Sequence, residues 1–157
     1  HGVYRIKANW SWYLNWHSGG NRPTLVTSVN NPHRNHHRWV ITHDVAHDRH
    51  YIRPLGQTDQ YLTGYNARGR NARTVPWNSG VHRKTWVVHT ADQQSDVNRV
   101  YIRNNETWKH LRWMDESGRV STEHDDHPDV KNALKRGGLH GSQKWTLEYV
   151  EPHPIGW

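Results

Sequence analysis

The sequence predicts an all-β domain made of three similar units, each with four short strands. Three observations predict this fold class: a tryptophan triplet recurs along the chain, isoleucine and leucine patterns recur with it, and helical periodicity is almost absent. The chain has 157 residues, which is the usual length of one domain. Only 32% of the residues are hydrophobic, and the 10 Trp and 7 Tyr are accompanied by no Phe. Because these rings carry polar edges, the composition disfavours a large apolar interior.

The tryptophan triplet consists of Trp, any residue and an aliphatic residue. It occurs as Trp39-Val40-Ile41, Trp86-Val87-Val88 and Trp145-Thr146-Leu147. Alternate side chains of a strand share one face, so the first and third residues are predicted to face inward and the middle residue outward. The spacing between the Trp residues is 47 residues and then 59 residues, which predicts an insertion in the third unit.

Two further patterns supply the other strands of each unit. Ile6, Ile52 and Ile102 each lie in a run that contains Tyr, and Leu14, Leu62 and Leu111 are each followed eight residues later by Arg22, Arg70 and Arg119. A Gly lies one or two residues before each of these Arg residues, which favours a turn and hence a hairpin. Short β-branched runs at 24–26, 74–75 and 120–122 predict one more strand per unit.

Three units of four strands with pseudo-threefold symmetry are the layout of a β-trefoil. The whole chain, 1–157, is predicted to be one such domain, with units at about 1–44, 45–93 and 94–151 and a C-terminal tail at 152–157. One short helix is predicted in the insertion of the third unit, over 128–137. Pro and Asp stand at its start, and Lys, Arg and Gly at its end, as is typical of helix termini.

These residues resemble the ricin-B-like β-trefoil superfamily, in particular the Cys-free lectins of fungi and the related fungal protease inhibitors. The resemblance lies in the opening run Gly2-Val3-Tyr4-Arg5-Ile6, the second-strand Leu and the terminal Trp of each unit. It implies glycan binding through loops and no catalysis. The lectins' Gln-x-Trp ending is kept only at Gln143-Lys144-Trp145. Asn15, Thr63 and Arg112 stand where the family has its galactose-binding Asp, which disfavours a galactose pocket of the ricin type.

Tryptophan residues outside the repeated core are the candidates for glycan contact. An exposed indole offers an apolar face to a sugar ring, and neighbouring polar groups bond its hydroxyls. Trp16 and Trp113 are predicted to face inward, since each lies two residues after a repeated Leu. The predicted glycan-binding residues are Asp59, Tyr65, Asn66, Arg70, Trp77 and Asn78 in the second unit, with Tyr61 beside them; Asn105, Trp108, His110, Arg112 and Asp115 in the third; and Trp10, Trp12 and Asn15 in the first.

No metal site, cofactor or catalytic centre is predicted. His43, His47 and His50 have the spacing of a metal-binding helix face, but a loop is expected there and the Glu of a zincin is absent. The chain carries no phosphate-binding loop, nucleophile elbow or paired-carboxylate pattern, and no Cys for a disulfide or a thiolate. The predicted protein is a lectin that binds glycans or glycoproteins, with a role in defence, and a homodimer stays open.

Two alternative functions stay open. A trefoil protease inhibitor would present an Arg or Lys such as Arg73 or Lys135 on a rigid loop to a trypsin-like pocket. A nucleic-acid-binding protein would use the net charge of +7 and the Arg-rich run at 66–73, although the basic residues are spread over all three units.

Membrane insertion is not expected, because the longest apolar stretches span only a few residues and a spanning helix needs roughly 20. The chain starts at His1 without an initiator Met or a leader, so a processed product or a fragment is expected. Two compartments stay open, the cytoplasm and secretion after processing to His1.

Overall fold

A computed structural model describes residues 1–8, 12–17, 20–26, 35–57, 59–64, 72–78, 83–90, 99–113, 120–123 and 143–157. These residues form the strands β1 (Gly2–Lys7), β2 (Tyr13–His17), β3 (Gly20–Val26), β4 (Trp39–Asp44), β5 (Arg49–Pro54), β6 (Tyr61–Thr63), β7 (Arg73–Val75), β8 (Trp86–Thr90), β9 (Arg99–Asn104), β10 (His110–Trp113), β11 (Val120–Glu123) and β12 (Lys144–Glu151). Two short 3₁₀ turns lie at Asn35–His37 and Val45–His47. The strands agree with the predicted all-β class. The helix predicted over 128–137 lies outside the described residues, and the boundaries of the units stay predictions.

Six of the strands close into an antiparallel barrel. β1 pairs with β4 and β12, β5 pairs with β4 and β8, and β9 pairs with β8 and β12. The other six strands form the hairpins β2–β3, β6–β7 and β10–β11. Neighbouring hairpins bond to each other: the Ala72 N–H donates to the Val120 carbonyl at 2.8 Å. Closure satisfies strand edges that would otherwise be exposed.

The core contains three equivalent tryptophan–leucine contacts. Trp39, Trp86 and Trp145 are fully buried, as are the repeated Leu and Ile residues. Each indole N–H donates to the carbonyl of the repeated Leu before it: Trp39 to Leu14 at 3.0 Å, Trp86 to Leu62 at 2.9 Å and Trp145 to Leu111 at 3.0 Å. The inward orientation predicted for the three Trp residues is confirmed, and every buried N–H of this set has its acceptor.

One residue of the tryptophan triplets departs from the predicted alternation. Val40, a middle residue predicted to face outward, is fully buried. Its cross-strand partners are Val3 on β1 and Arg53 on β5, so the three side chains share the outer face of the barrel. The Arg53 guanidinium lies 4.8 Å from the Trp157 ring centre, so a residue of the C-terminal segment lies over this part of the face. The prediction is therefore wrong for Val40.

Two other side chains test predictions about orientation. Trp16 and Trp113 are buried as predicted, and their indole N–H groups donate to Thr74 Oγ1 at 3.1 Å and to the Lys144 carbonyl at 3.3 Å. Arg73, predicted to lie in a rigid inhibitory loop, lies instead within strand β7, where its carbonyl accepts the Thr63 hydroxyl at 3.1 Å. Lys135 lies outside the described residues. Within the described ranges, no helix is long and apolar enough to cross a membrane.

Candidate functional site

The turn after strand β7 presents Trp77 to solvent. Its side chain is 53% exposed, although the backbone around it is held on both sides. The backbone N–H of Trp77 donates a hydrogen bond to Asp59 Oδ1 at 3.2 Å, and the backbone carbonyl of Trp77 accepts one from the Lys84 ammonium at 2.8 Å. Because both bonds are made to the backbone, they fix the turn without covering the indole.

Two tyrosines support this indole from the neighbouring strands. The ring centre of Trp77 lies 5.8 Å from that of Tyr51 on β5 and 5.3 Å from that of Tyr61 on β6. The two tyrosine rings also contact each other edge to face at 6.0 Å. Lys84 Nζ lies 5.4 Å from the indole centre, and the Arg49 guanidinium lies 5.9 Å from the Tyr51 ring. The result is an aromatic platform with cations at its margin.

A cavity of about 470 Å³ opens beside this platform, here called the Trp77 cavity. It is lined by Arg49, Tyr51, Trp77, Asn78, Lys84, Thr85 and Glu106. Glu106 comes from the turn between β9 and β10, so the cavity joins two of the predicted units. The Asn105 N–H donates to the Thr85 carbonyl at 2.9 Å and holds that turn against the residue that precedes β8. The lining offers apolar faces, donors and one carboxylate, and its volume is in the range of small-ligand sites.

The structure brings together part of the site predicted for the second unit. Asp59, Trp77 and Asn78 lie together as predicted, and Asp59 acts by positioning the turn. Tyr65, Asn66 and Arg70 lie outside the described residues. Arg49, Tyr51, Lys84 and Glu106 are new members of the site. Tyr51 appears in the sequence only as part of a strand pattern, and no local pattern indicates that Glu106 reaches this cavity.

The turn between β9 and β10 presents a second exposed indole, that of Trp108. This residue is 66% exposed and has a backbone φ of +62°, which is rare for a bulky side chain. Buried Asn104 holds the turn, since its Oδ1 accepts the N–H groups of Glu106 and Thr107 at 3.1 and 3.2 Å. The Arg103 guanidinium lies 4.1 Å from the Trp108 ring centre. A strained backbone that is held this firmly is typical of a functional position.

Other residues predicted for the third unit have different surroundings. Asn105 is exposed next to Trp108, whereas Arg112 lies within β10 and is only 5% exposed. In the strand register Arg112 pairs with Ser121 on β11. Asp115 lies outside the described residues. His110 lies at the start of β10, opposite Arg103 on β9.

Three rings meet on the outer face of β8, β9 and β10. The ring centre of His89 lies 5.1 Å from that of Tyr101 and 5.8 Å from that of His110, and the centres of Tyr101 and His110 lie 6.0 Å apart. Burial, with His89 and Arg103 as further causes, lowers the pKa of His110 to about 4. Burial and Arg103 also lower the pKa of His89. Both imidazoles are therefore neutral at physiological pH.

Because of His110, the folded protein should become less stable as the pH is lowered. The unfolded chain takes up a proton at this site near the ordinary pKa of 6.5, whereas the folded chain does so only near 4. The contribution of His110 is thus constant above about pH 6.5 and falls by about 3 kcal/mol as the pH drops to about 4. Urea unfolding of the wild type and of His110→Gln at pH 7 and pH 4.5 measures this. The free energy of unfolding should differ much less between the two pH values in His110→Gln than in the wild type. The control variant His47→Gln, which replaces an exposed histidine, should keep the wild-type difference.

The first unit shows no comparable platform among its described residues. Trp12 is half-buried and packs against the core, and the Asn15 side-chain amide donates to the Trp16 carbonyl at 3.3 Å. Trp10 lies outside the described residues. Tyr13 occupies the position of Tyr61 and His110, and its hydroxyl donates to Glu148 at 3.2 Å. Burial, with Glu148 as the next cause, raises the pKa of Tyr13.

The histidine run at 43–50 covers the ends of two paired strands and the 3₁₀ turn that connects them, where a loop was expected. His43 lies near the end of β4 and His50 near the start of β5, and their ring centres stack at 4.4 Å. His43 Nε2 lies 3.1 Å from Asp48 Oδ1, and His47 Nδ1 lies 2.9 Å from Asp44 Oδ2. Since the residues lie on two strands, their spacing does not correspond to one helix face. No group of three suitable side chains for a metal ion occurs in the described part of the chain.

Solved structures of known proteins share this fold. No protein-family model matches the sequence, and no curated protein matches it. The BEL β-trefoil has a TM-score of 0.64 and 13% identity, over 95% of this chain and 93% of its own. The Polyporus squamosus lectin, bound to the epitope Neu5Acα2-6Galβ1-4GlcNAc, has a TM-score of 0.65 and 17% identity over 95% of this chain and 49% of its own.

A mosquitocidal holotoxin has a TM-score of 0.70 and 15% identity over 96% of this chain, which spans only 18% of the holotoxin chain. The similar structures thus include both full-length matches and single regions of longer proteins. At such identities the similarity establishes the fold alone. It agrees with the closed barrel, the three hairpins and the three equivalent Trp–Leu contacts. The chain therefore has the β-trefoil fold, as its resemblance to β-trefoil proteins implied.

Proposed function

We propose that this protein is a non-catalytic lectin whose main glycan site is the Trp77 cavity. The observation that carries the proposal is the exposed indole of Trp77, fixed through its backbone and bordered by two tyrosines and a polar cavity. An exposed indole that forms a patch with other rings and has polar residues at its margin is typical of a ligand-binding surface. A sugar ring is a suitable ligand, because its C–H face is apolar and its rim carries hydroxyls.

The lining residues supply the groups that a sugar requires. The indole of Trp77 would stack on the C–H face of the sugar, while Asn78 offers both a donor and an acceptor. Glu106 would accept hydrogen bonds from sugar hydroxyls, and Arg49 would donate hydrogen bonds to hydroxyl oxygens. The two cations and the carboxylate belong to different strands and turns, so they approach the cavity from different sides.

Trp108 is proposed as a second platform of the same kind. Its indole is more exposed than that of Trp77 and is held by a turn with firm backbone bonds. Asn105, exposed beside it, would contribute an amide. The glycan bound by the Polyporus squamosus lectin supports carbohydrate binding as a function that this fold accommodates. The specific sugar is not defined by that similarity, since the identity is only 17%.

A glycan array tests the proposal. The purified protein is applied at pH 5.5 and pH 7.5 in moderate salt, so that its net charge of +7 does not attract every acidic glycan. We expect hits that share one terminal sugar and that the free sugar displaces. A blank array would contradict the proposal. Hits that disappear with salt and follow acidity alone would favour nucleic acid binding, and the next assays would be a nucleic-acid titration and a protease panel.

A further inference from the structure

We propose that Arg103 is a positioning residue for the Trp108 platform and that His89 and His110 make its action depend on pH. This inference rests on the proposed function of Trp108 as a glycan platform. It concerns the protein without ligand, however, so it can be tested separately. Four residues carry it: Arg103 on β9, His89 on β8, His110 on β10 and Trp108 in the turn before β10.

Arg103 connects the exposed indole with the histidine rings. Its guanidinium lies 4.1 Å from the Trp108 ring centre, well within the range of a cation–π contact. Its backbone pairs in register with that of His110, and its charge lowers the pKa of both His89 and His110. The guanidinium therefore contacts the indole, and its charge acts on both imidazoles.

The polar atoms between these residues are buried without partners. Arg103 Nε, His89 Nε2 and His110 Nδ1 are inaccessible to solvent and have no hydrogen-bond partner among the described residues. A buried N–H without an acceptor is costly, and a buried imidazolium next to a guanidinium is costlier still. The packed arrangement is therefore stable only while both histidines are neutral.

Two residues of neighbouring strands that can carry charge occupy register positions beside this cluster. Glu123 on β11 occupies the register position opposite His110, and Lys144 on β12 occupies the position opposite Tyr101. The cost of protonating His110 arises mainly from burial, with the charges of His89 and Arg103 as the next causes.

Protonation of the histidines has a definite consequence for Trp108. Protonation shifts the equilibrium from the packed arrangement towards one that exposes the imidazoles. As the pH falls from about 6.5 towards 4, the ratio of packed to exposed molecules decreases by up to tenfold per pH unit for each proton taken up. Repulsion from the imidazolium moves Arg103 off the indole. Loss of the stacked cation removes the contact that holds the Trp108 ring in a single orientation.

The test uses the indole N–H resonances of the full ¹⁵N-labelled chain. Trp108→Phe assigns the Trp108 resonance and Trp77→Phe assigns that of Trp77, which serves as the internal control. We expect the wild-type Trp108 resonance to shift between pH 6.5 and 4 while that of Trp77 stays in place. In Arg103→Gln the Trp108 resonance should lie at its acidic position at every pH. In the double variant His89→Gln, His110→Gln it should no longer depend on pH.

Two results would overturn the inference: a Trp108 resonance that does not depend on pH in the wild type, or one whose shift persists in the double histidine variant. The resonance of the buried Trp86 reports whether each variant is folded. A single Arg103→Lys variant keeps the charge but loses the planar group, and it should retain only part of the shift. Since no glycan is present, a blank glycan array would contradict the proposed function without affecting this result.

Discussion

Trp86→Ala should lower the free energy of unfolding by about 3 to 5 kcal/mol, as expected for truncation of a buried aromatic residue. Trp86 is fully buried, so the substitution leaves a cavity at the centre of the barrel. It also removes the indole N–H that donates to the Leu62 carbonyl at 2.9 Å and leaves that buried acceptor without its partner. Urea denaturation followed by circular dichroism measures the change.

Trp108→Ala is the matched control for this prediction, because it removes the same side chain from the surface. Its loss should be about 1 kcal/mol or less, the size of an exposed cation–π contact with Arg103. Trp86→Phe keeps a buried ring and isolates the contribution of the hydrogen bond, and it remains measurable if the alanine variant does not fold. Equal losses in Trp86→Ala and Trp108→Ala would contradict the assignment of Trp86 to the threefold core.

Trp77→Ala should reduce glycan affinity by roughly tenfold or more, as is usual when a central aromatic contact is removed. The fold should be retained, because the bonds from Trp77 to Asp59 and Lys84 involve its backbone, which alanine preserves. Titration calorimetry with the best glycan from the array gives the affinity. Trp77→Phe, which keeps an apolar face, should retain part of the binding.

The matched control for the binding prediction is Trp157→Ala. Trp157 is a partly exposed tryptophan that stacks on Arg53 and does not line the Trp77 cavity. Its removal should leave the glycan affinity unchanged. If Trp77→Ala binds as tightly as the wild type, Trp77 does not contact the glycan. If Trp157→Ala weakens binding as much as Trp77→Ala does, the effect is not specific to the cavity.

Predictions from the sequence were accurate where a residue contributes to a repeated contact. Trp39, Trp86 and Trp145 recur because each must fill the same space and donate to the same kind of carbonyl, so the pattern and the role coincide. The prediction for Val40 was wrong because Val40 is buried on a face that it shares with Val3 and Arg53, which lie elsewhere in the sequence. Period-two alternation describes one strand and does not account for a segment that packs on its outer face.

The candidate site was predictable only in part, for the same physical reason. Trp77 stands out because a large ring lies in a turn outside the repeated core, and Trp108 stands out likewise. Arg112 was a plausible ligand contact by residue type, yet it is buried in strand β10. Residue type indicates which chemistry is available, while exposure depends on which strands pack beside the residue.

The sequence by itself determined the all-β class and the repeated core, and it included the exposed Trp77 and Trp108 among four tryptophans predicted to contact glycan. These features depend on the residue types within a single strand or turn and on their spacing. Only the tertiary structure decided that Arg49, Lys84 and Glu106 line a cavity with Trp77, and that Arg103 contacts Trp108 and lies opposite His110. Barrel closure brings these distant segments together, and their charges and burial acquire their effects only at the short distances that closure creates.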